Sequence, residues 1–175
     1  METLDAIAAR RSCRAYSDAP VLDGELETIL RAGMAAPVGS AAYDTLHITV
    51  VENGQLMGRI FEEASDLALK MLGVRKSMDF GAPVLVLVSS EPARLPGMEY
   101  ANAATVLENM CLAATGLGLD SLMWGAAAAA VAQSGELQEK LGIPGGFRPL
   151  LCASFGHAAA PEPAKVHSIA VDWVR

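Results

Sequence analysis

Positive charge is scarce in this chain: 13 lysines and arginines stand against 20 aspartates and glutamates over 175 residues, a formal net charge of −7. Gripping nucleic acid or an anionic membrane needs a broad basic face, so this balance argues against both partners. Cysteine is sparse too. Cys13, Cys111 and Cys152 are odd in number and far apart, form no CxxC pair, and have no histidine at metal-ligand spacing. Reduced thiols are expected, with neither a disulfide frame nor a metal site. His47, His157 and His167 are equally scattered. There is no GxSxG elbow and no Walker A loop, so two well-marked catalytic signatures are missing. The opening METLDA carries an early acid and no long apolar core, and no later stretch is long enough to span a bilayer. Neither a signal peptide nor a membrane anchor is expected, and the cytoplasm is the expected location.

What remains is an apolar chain, 52% hydrophobic and 19% charged, with alanine inflating the first figure. Its length suits one domain over residues 1–175, able to bury a core unaided, and its apolar bias points to a buried subunit interface. Thr3 can cap a first helix whose Leu4, Ile7 and Ala8 share a face. Asp23 reads as the next N-cap, with Leu26, Ile29, Leu30 and Gly33 as the inner stripe, and AAPVGS at 35–40 stops that helix. LHITVV at 46–51 reads as a strand. A long helix is expected over 55–72 and a strand buried on both faces over 83–89. Another helix fits 100–117 and a short strand 121–125; the alanine run 126–132 then leads to a short helix around 136–141, and a strand follows over 149–156. A proline-spaced extension, 161–175, carries IAVDWV, which could add an edge strand at home or on a partner. Together these elements predict an α+β domain whose sheet is flanked by helices.

The segment RRSCRAY at 10–16 stands out against the acidic background. A phosphate monoester matches guanidinium groups two oxygens at a time, and a serine hydroxyl with free backbone N–H groups completes its acceptors. Arg10, Arg11, Ser12 and Arg14 provide that set. The plainer reading is a solvated helix end whose arginines complement the helix dipole and pair with Asp5 or Asp18.

The same segment resembles the RRSxRx(F/Y) signature of the FMN-dependent nitroreductase family. The likeness extends through a second helix ending in AAP, the LHITVV and APVLVLV strands, the helix NAATVLENMCLAATGLGLDS, the strand exit SLMWG, and LGIP followed by a strand ending in FGH. That resemblance implies a central, mostly antiparallel sheet and a homodimer with FMN in clefts at the subunit interface, the C-terminal strand being exchanged between subunits. It implies NADH or NADPH as co-substrate and a nitroaromatic, quinone or similar small-molecule electron acceptor. Carried over, Arg10, Ser12 and Arg14 would hold the phosphate and ribityl end, with Arg11 adding charge or a backbone N–H. Pro37, Val38, Gly39 and Ser40 would line the flavin ring, commonly the partner's. Trp124 and Gly125 would lie where backbone approaches flavin N5, and Lys165 would add a distant basic group.

Each residue also has a structural reading. Trp124 beside a buried strand can be core, Gly39 and Gly125 can serve turns needing positive φ, Tyr16 can pack under the arginine segment, and Cys13 and His47 can be packing residues. One departure matters. Where the family commonly follows ProSer with an Asn whose amide binds the flavin pyrimidine, this chain reads PVGSAAYDTLH. A flavin-binding module without turnover, a relative with other flavin chemistry, and a helical interaction domain whose arginines meet an acidic partner therefore stay open.

Overall fold

The computed structural model describes residues 1–160 and 167–175. Helix α1 (Thr3–Ala9) leads through the arginine segment to α2 (Asp23–Met34). The next elements are β1 (Leu46–Val51), α3 (Gly54–Leu72), β2 (Val84–Ser90), α4 (Met98–Gly116) and β3 (Asp120–Trp124). Helices α5 (Ala126–Gln133) and α6 (Gly135–Lys140) lead to β4 (Arg148–Gly156). The strands form one open four-stranded sheet in the order β1-β2-β4-β3, and all three pairings are antiparallel.

Strand β2 lies in the middle and is buried at every position, as its unbroken apolar run requires. Val84, Val86 and Val88 join Leu26 and Ile29 of α2 and Val106, Leu107 and Met110 of α4 in one core. Leu85 and Leu87 point the other way, to Ile60 and Phe61 of α3 and Ala127, Ala128 and Val131 of α5. Helix–sheet–helix layering follows from this alternation. Close approach of α2 to α4 depends on Gly33, because a Cβ there would run into the Met110 side chain.

Several local expectations are corrected. Helix α1 begins after Glu2, with no side-chain cap, and buries Ala6, leaving Leu4 78% and Ile7 52% exposed. Helix α2 is capped by Leu22, whose N–H donates to Glu25 Oε2 at 2.9 Å; Asp23 is already helical. The alanine run forms a helix of its own, α5, between Gly125 and Ser134. Residues 167–175 add no strand to this chain's sheet and are exposed throughout.

The arginine segment is fastened along the β3 edge. Cys13 N–H donates to Ser121 O at 2.9 Å, Tyr16 N–H to Phe80 O at 3.0 Å, and Ser17 N–H to His157 O at 2.8 Å. Beneath it Cys13, Tyr16 and Ala82 form a small buried cluster.

Candidate functional site

Two stretches carry the predicted site residues, and α4 touches both. On the arginine segment, Arg10 Nε pairs with Glu108 Oε1 of α4 at 3.1 Å, and Arg11 Nε with Asp120 Oδ1 of β3 at 3.0 Å. Asp120 Oδ2 also accepts the Ala158 N–H at 3.2 Å, so one carboxylate ties the segment to the chain beyond β4. The partners are thus Glu108 and Asp120 rather than Asp5 or Asp18, because the segment runs beside β3 and α4. Arg14 differs. It is exposed, touches only its neighbour's carbonyl (Nη1 to Ser12 O, 3.4 Å), and forms no ion pair among the described residues.

Burial holds Tyr16, Cys111 and Cys152 in their neutral forms across a wider pH range. It pushes the Tyr16 phenol far above its ordinary range, and the hydroxyl donates to Ser154 O at 3.3 Å. The Cys111 thiol, beside the Ser121 hydroxyl, is pushed by burial up to about 11, and Cys152 to about 12. Unreactive thiols follow, since the thiolate is the nucleophile.

The second stretch is the loop after α2. Thr105 Oγ1 of α4 donates to Pro37 O at 3.1 Å, and Gly39 N–H donates to Asn102 Oδ1 at 2.9 Å. Tyr43 Oη donates to Ala36 O at 3.2 Å. Val38 is turned inward, 8% exposed, and belongs to the main core. Between these anchors Ser40 and Ala41 adopt left-handed backbone, φ 58° and 54°, each costing roughly 1 kcal/mol or more. Gly39 itself has no positive φ. Space there is tight: a Cβ would lie 3.1 Å from Met98 Sδ and 3.4 Å from Asn102 Oδ1, so the Met98 side chain would have to give by a few tenths of an ångström. The loop walls a cavity of about 640 Å³, closed on the far side by residues 90–95 and floored by Met98 and Asn102.

Trp124, partly buried, packs against the core on the α3 and α5 side. Its ring lies 5.9 Å from Phe61 and 5.6 Å from Phe80, and Nε1 donates to Ser154 Oγ at 3.2 Å. Gly125 has φ −115°, and a Cβ there would meet only Leu151 Cδ2 at 3.8 Å. Neither backbone strain nor crowding within the chain calls for glycine at 125. His47 packs edge-on against Phe147. Lys165 lies outside the described residues.

No hydrogen bond or ion pair joins the arginine segment to the 37–40 loop among the described residues; they are fixed to α4 at Glu108 and at Asn102 and Thr105. Those anchors, with Asp120, escape a motif reading. Only Asn102 left a trace in sequence, as a polar residue within an otherwise apolar helical stripe, now 6% exposed.

This geometry defines an α+β domain that presents a basic, hydroxyl-bearing edge and a separate tethered loop. The family follows from sequence: a profile of the Nitroreductase family matches residues 7–157, and the chain belongs to that family. A protein of Methanothermobacter thermautotrophicus with the provisional name NADH dehydrogenase/NAD(P)H nitroreductase is 30% identical over 129 residues, 71% of this chain. The match spans 61% of that relative's length. Among solved structures, a nitroreductase with bound FMN from Desulfitobacterium hafniense superposes with a TM-score of 0.87 at 26% identity, covering all of both chains. A nitroreductase with bound FMN from Bacteroides fragilis gives 0.84 at 30% identity, again over both whole chains.

Proposed function

We propose that this protein is an FMN-dependent oxidoreductase that works as a homodimer, the arginine segment of one subunit and the 37–40 loop of the other meeting at each flavin. The observation that carries this reading is Arg14 with Ser12. Beside two arginines held by carboxylates stands a third that no carboxylate engages among the described residues, next to a hydroxyl, in a chain of net charge −7. An exposed guanidinium fork with a neighbouring hydroxyl matches a phosphate monoester. FMN bound to the solved relatives is such an ester.

The remaining donors fit the group as well. Arg10 and Arg11, already paired, set the segment's course and add positive potential. Gly125 leaves its backbone open to close approach, a use of glycine that strand ends favour. The tethered loop offers the Ser40 N–H, which has no partner among the described residues. When bound, FMN supplies hydride acceptance at N5 from NADH or NADPH and electron delivery to a nitroaromatic, quinone or similar acceptor, in ping-pong order. The chain's part is to bind the phosphate, fix the ring's orientation and keep water from one face. No side-chain nucleophile is required.

Dimerisation is supported by exposed apolar surface: Leu4 and Ile7 on α1, and Ile169, Val171, Trp173 and Val174 in the tail. Strand β1 is an open sheet edge that such a tail can extend on a partner.

The test is an absorption spectrum of protein reconstituted with FMN and freed of excess, followed by anaerobic NADH or NADPH. Flavin absorption that co-elutes and bleaches is expected. Protein that retains no flavin overturns the reading, and flavin that stays oxidised leaves a binding protein without turnover.

A further inference from the structure

The loop after α2 lacks the side-chain amide that the resemblance leads one to expect following Pro37, yet an amide is present in space. We propose that Asn102, on the first turns of α4, takes both parts of that missing group: its Oδ1 positions the loop, and its Nδ2 hydrogens face the cavity as donors to a carbonyl of the bound ring. The inference rests on the flavin reading above for its second half only.

Three observations converge on this residue. The Gly39 N–H points at Asn102 Oδ1 at 2.9 Å, and a Cβ at Gly39 would sit tightly, 3.1 Å from Met98 Sδ, so loop and helix are closely packed at this point. The next two residues, Ser40 and Ala41, hold left-handed backbone without being glycine; such conformations persist only where surroundings over-determine them. Asn102 supplies one of the anchors, with Thr105 and Tyr43 fastening the carbonyls of Pro37 and Ala36.

The second half follows from counting donors. An asparagine amide has one acceptor oxygen and two N–H donors. Oδ1 is used by Gly39, while Nδ2 has no acceptor among the described residues although the residue is only 6% exposed. Asn102 lines the 640 Å³ cavity. A donor pair without a protein acceptor, on a residue that lines a cavity, can be matched by a ligand carbonyl; the flavin pyrimidine offers two.

The experiment compares Asn102→Ala and Asn102→Asp with wild type by amide hydrogen exchange on flavin-free protein and by FMN titration. An aspartate keeps an acceptor for Gly39 and removes the donors; alanine removes both. Asn102→Ala is expected to speed exchange of the Gly39 amide at least tenfold while the Ile29 amide in α2 keeps its protection, which excludes general unfolding. Asn102→Asp is expected to leave Gly39 protected yet weaken FMN binding at least tenfold. Unchanged Gly39 exchange in the alanine variant overturns the positioning role. Wild-type FMN affinity in the aspartate variant overturns the donor role. Should wild type bind no FMN, the proposed function and the donor role fail together, whereas the exchange result still decides the positioning role.

Discussion

Replacing Arg14 and Arg11 one at a time by alanine should separate ligand binding from folding. Arg14 is exposed and reaches only Ser12 O, at 3.4 Å, so its removal should change stability by no more than about 0.5 kcal/mol. A charge-assisted hydrogen bond to phosphate contributes about 1.5–3 kcal/mol, so FMN should bind about 10- to 150-fold more weakly to Arg14→Ala. Arg11 is the reverse case. Its side chain is 24% exposed and that of Asp120 18%, and truncation leaves a part-buried carboxylate with the Ala158 N–H as its remaining hydrogen-bond donor among the described residues. Leaving such a group under-satisfied costs about 1–3 kcal/mol, which for a chain of this size lowers Tm by roughly 2–12 °C. The assay is a fluorescence titration with FMN beside a thermal melt of flavin-free protein. Arg14→Lys, which keeps charge but loses the planar fork, should fall between wild type and alanine in affinity. The reasoning is refuted if Arg14→Ala binds FMN as wild type does, or if Arg14→Ala and not Arg11→Ala is the variant that melts early.

Trp124→Phe should lose the Nε1 bond to Ser154 while keeping its contacts with Phe61 and Phe80, a cost of about 1 kcal/mol in a urea melt, with FMN affinity within twofold of wild type. Glu136, on the surface, is held well below the usual carboxylate range, to about 2, first by its hydrogen bond from Arg59 and then by that from Lys140. Its folded pKa lies below its unfolded one. The pair's stabilisation is therefore present above the ordinary carboxylate range and is lost as pH falls toward about 2. Thermal melts between pH 6 and pH 3 should show a smaller loss for Glu136→Gln than for wild type, and high salt should shrink the difference. Deleting residues 167–175 should shift the protein from dimer to monomer in light scattering coupled to gel filtration; a dimer of unchanged affinity removes the tail from the interface.

Sequence and structure agree best where a pattern has one physical cause. LHITVV is β1 residue for residue because β-branched side chains end at the turn before Asn53, whose side chain caps α3. Strand β2 begins one residue later than its apolar run because Pro83 has no N–H to pair. Helix α5 was not separable in advance: alanines carry no apolar–polar contrast, so periodicity says nothing about where such a helix starts. The first helix shows a related limit: Leu4 and Ile7, its large residues, share a face that is exposed, and only Ala6 is buried. Within the site, the arginine segment was legible because its charges are adjacent in sequence. Glu108, Asp120, Asn102 and Thr105 act on it or on the loop across distances in sequence that no local pattern encodes. The positive φ that Gly39 could have served falls instead on Ser40 and Ala41, because tertiary anchors, not residue type, set that turn.

The most direct measurement is the affinity of the wild-type protein for FMN compared with riboflavin, which differ by the phosphate alone. If the arginine segment grips that phosphate, riboflavin should bind at least tenfold more weakly, and added salt should narrow the gap. Equal affinity for the two flavins would contradict the account.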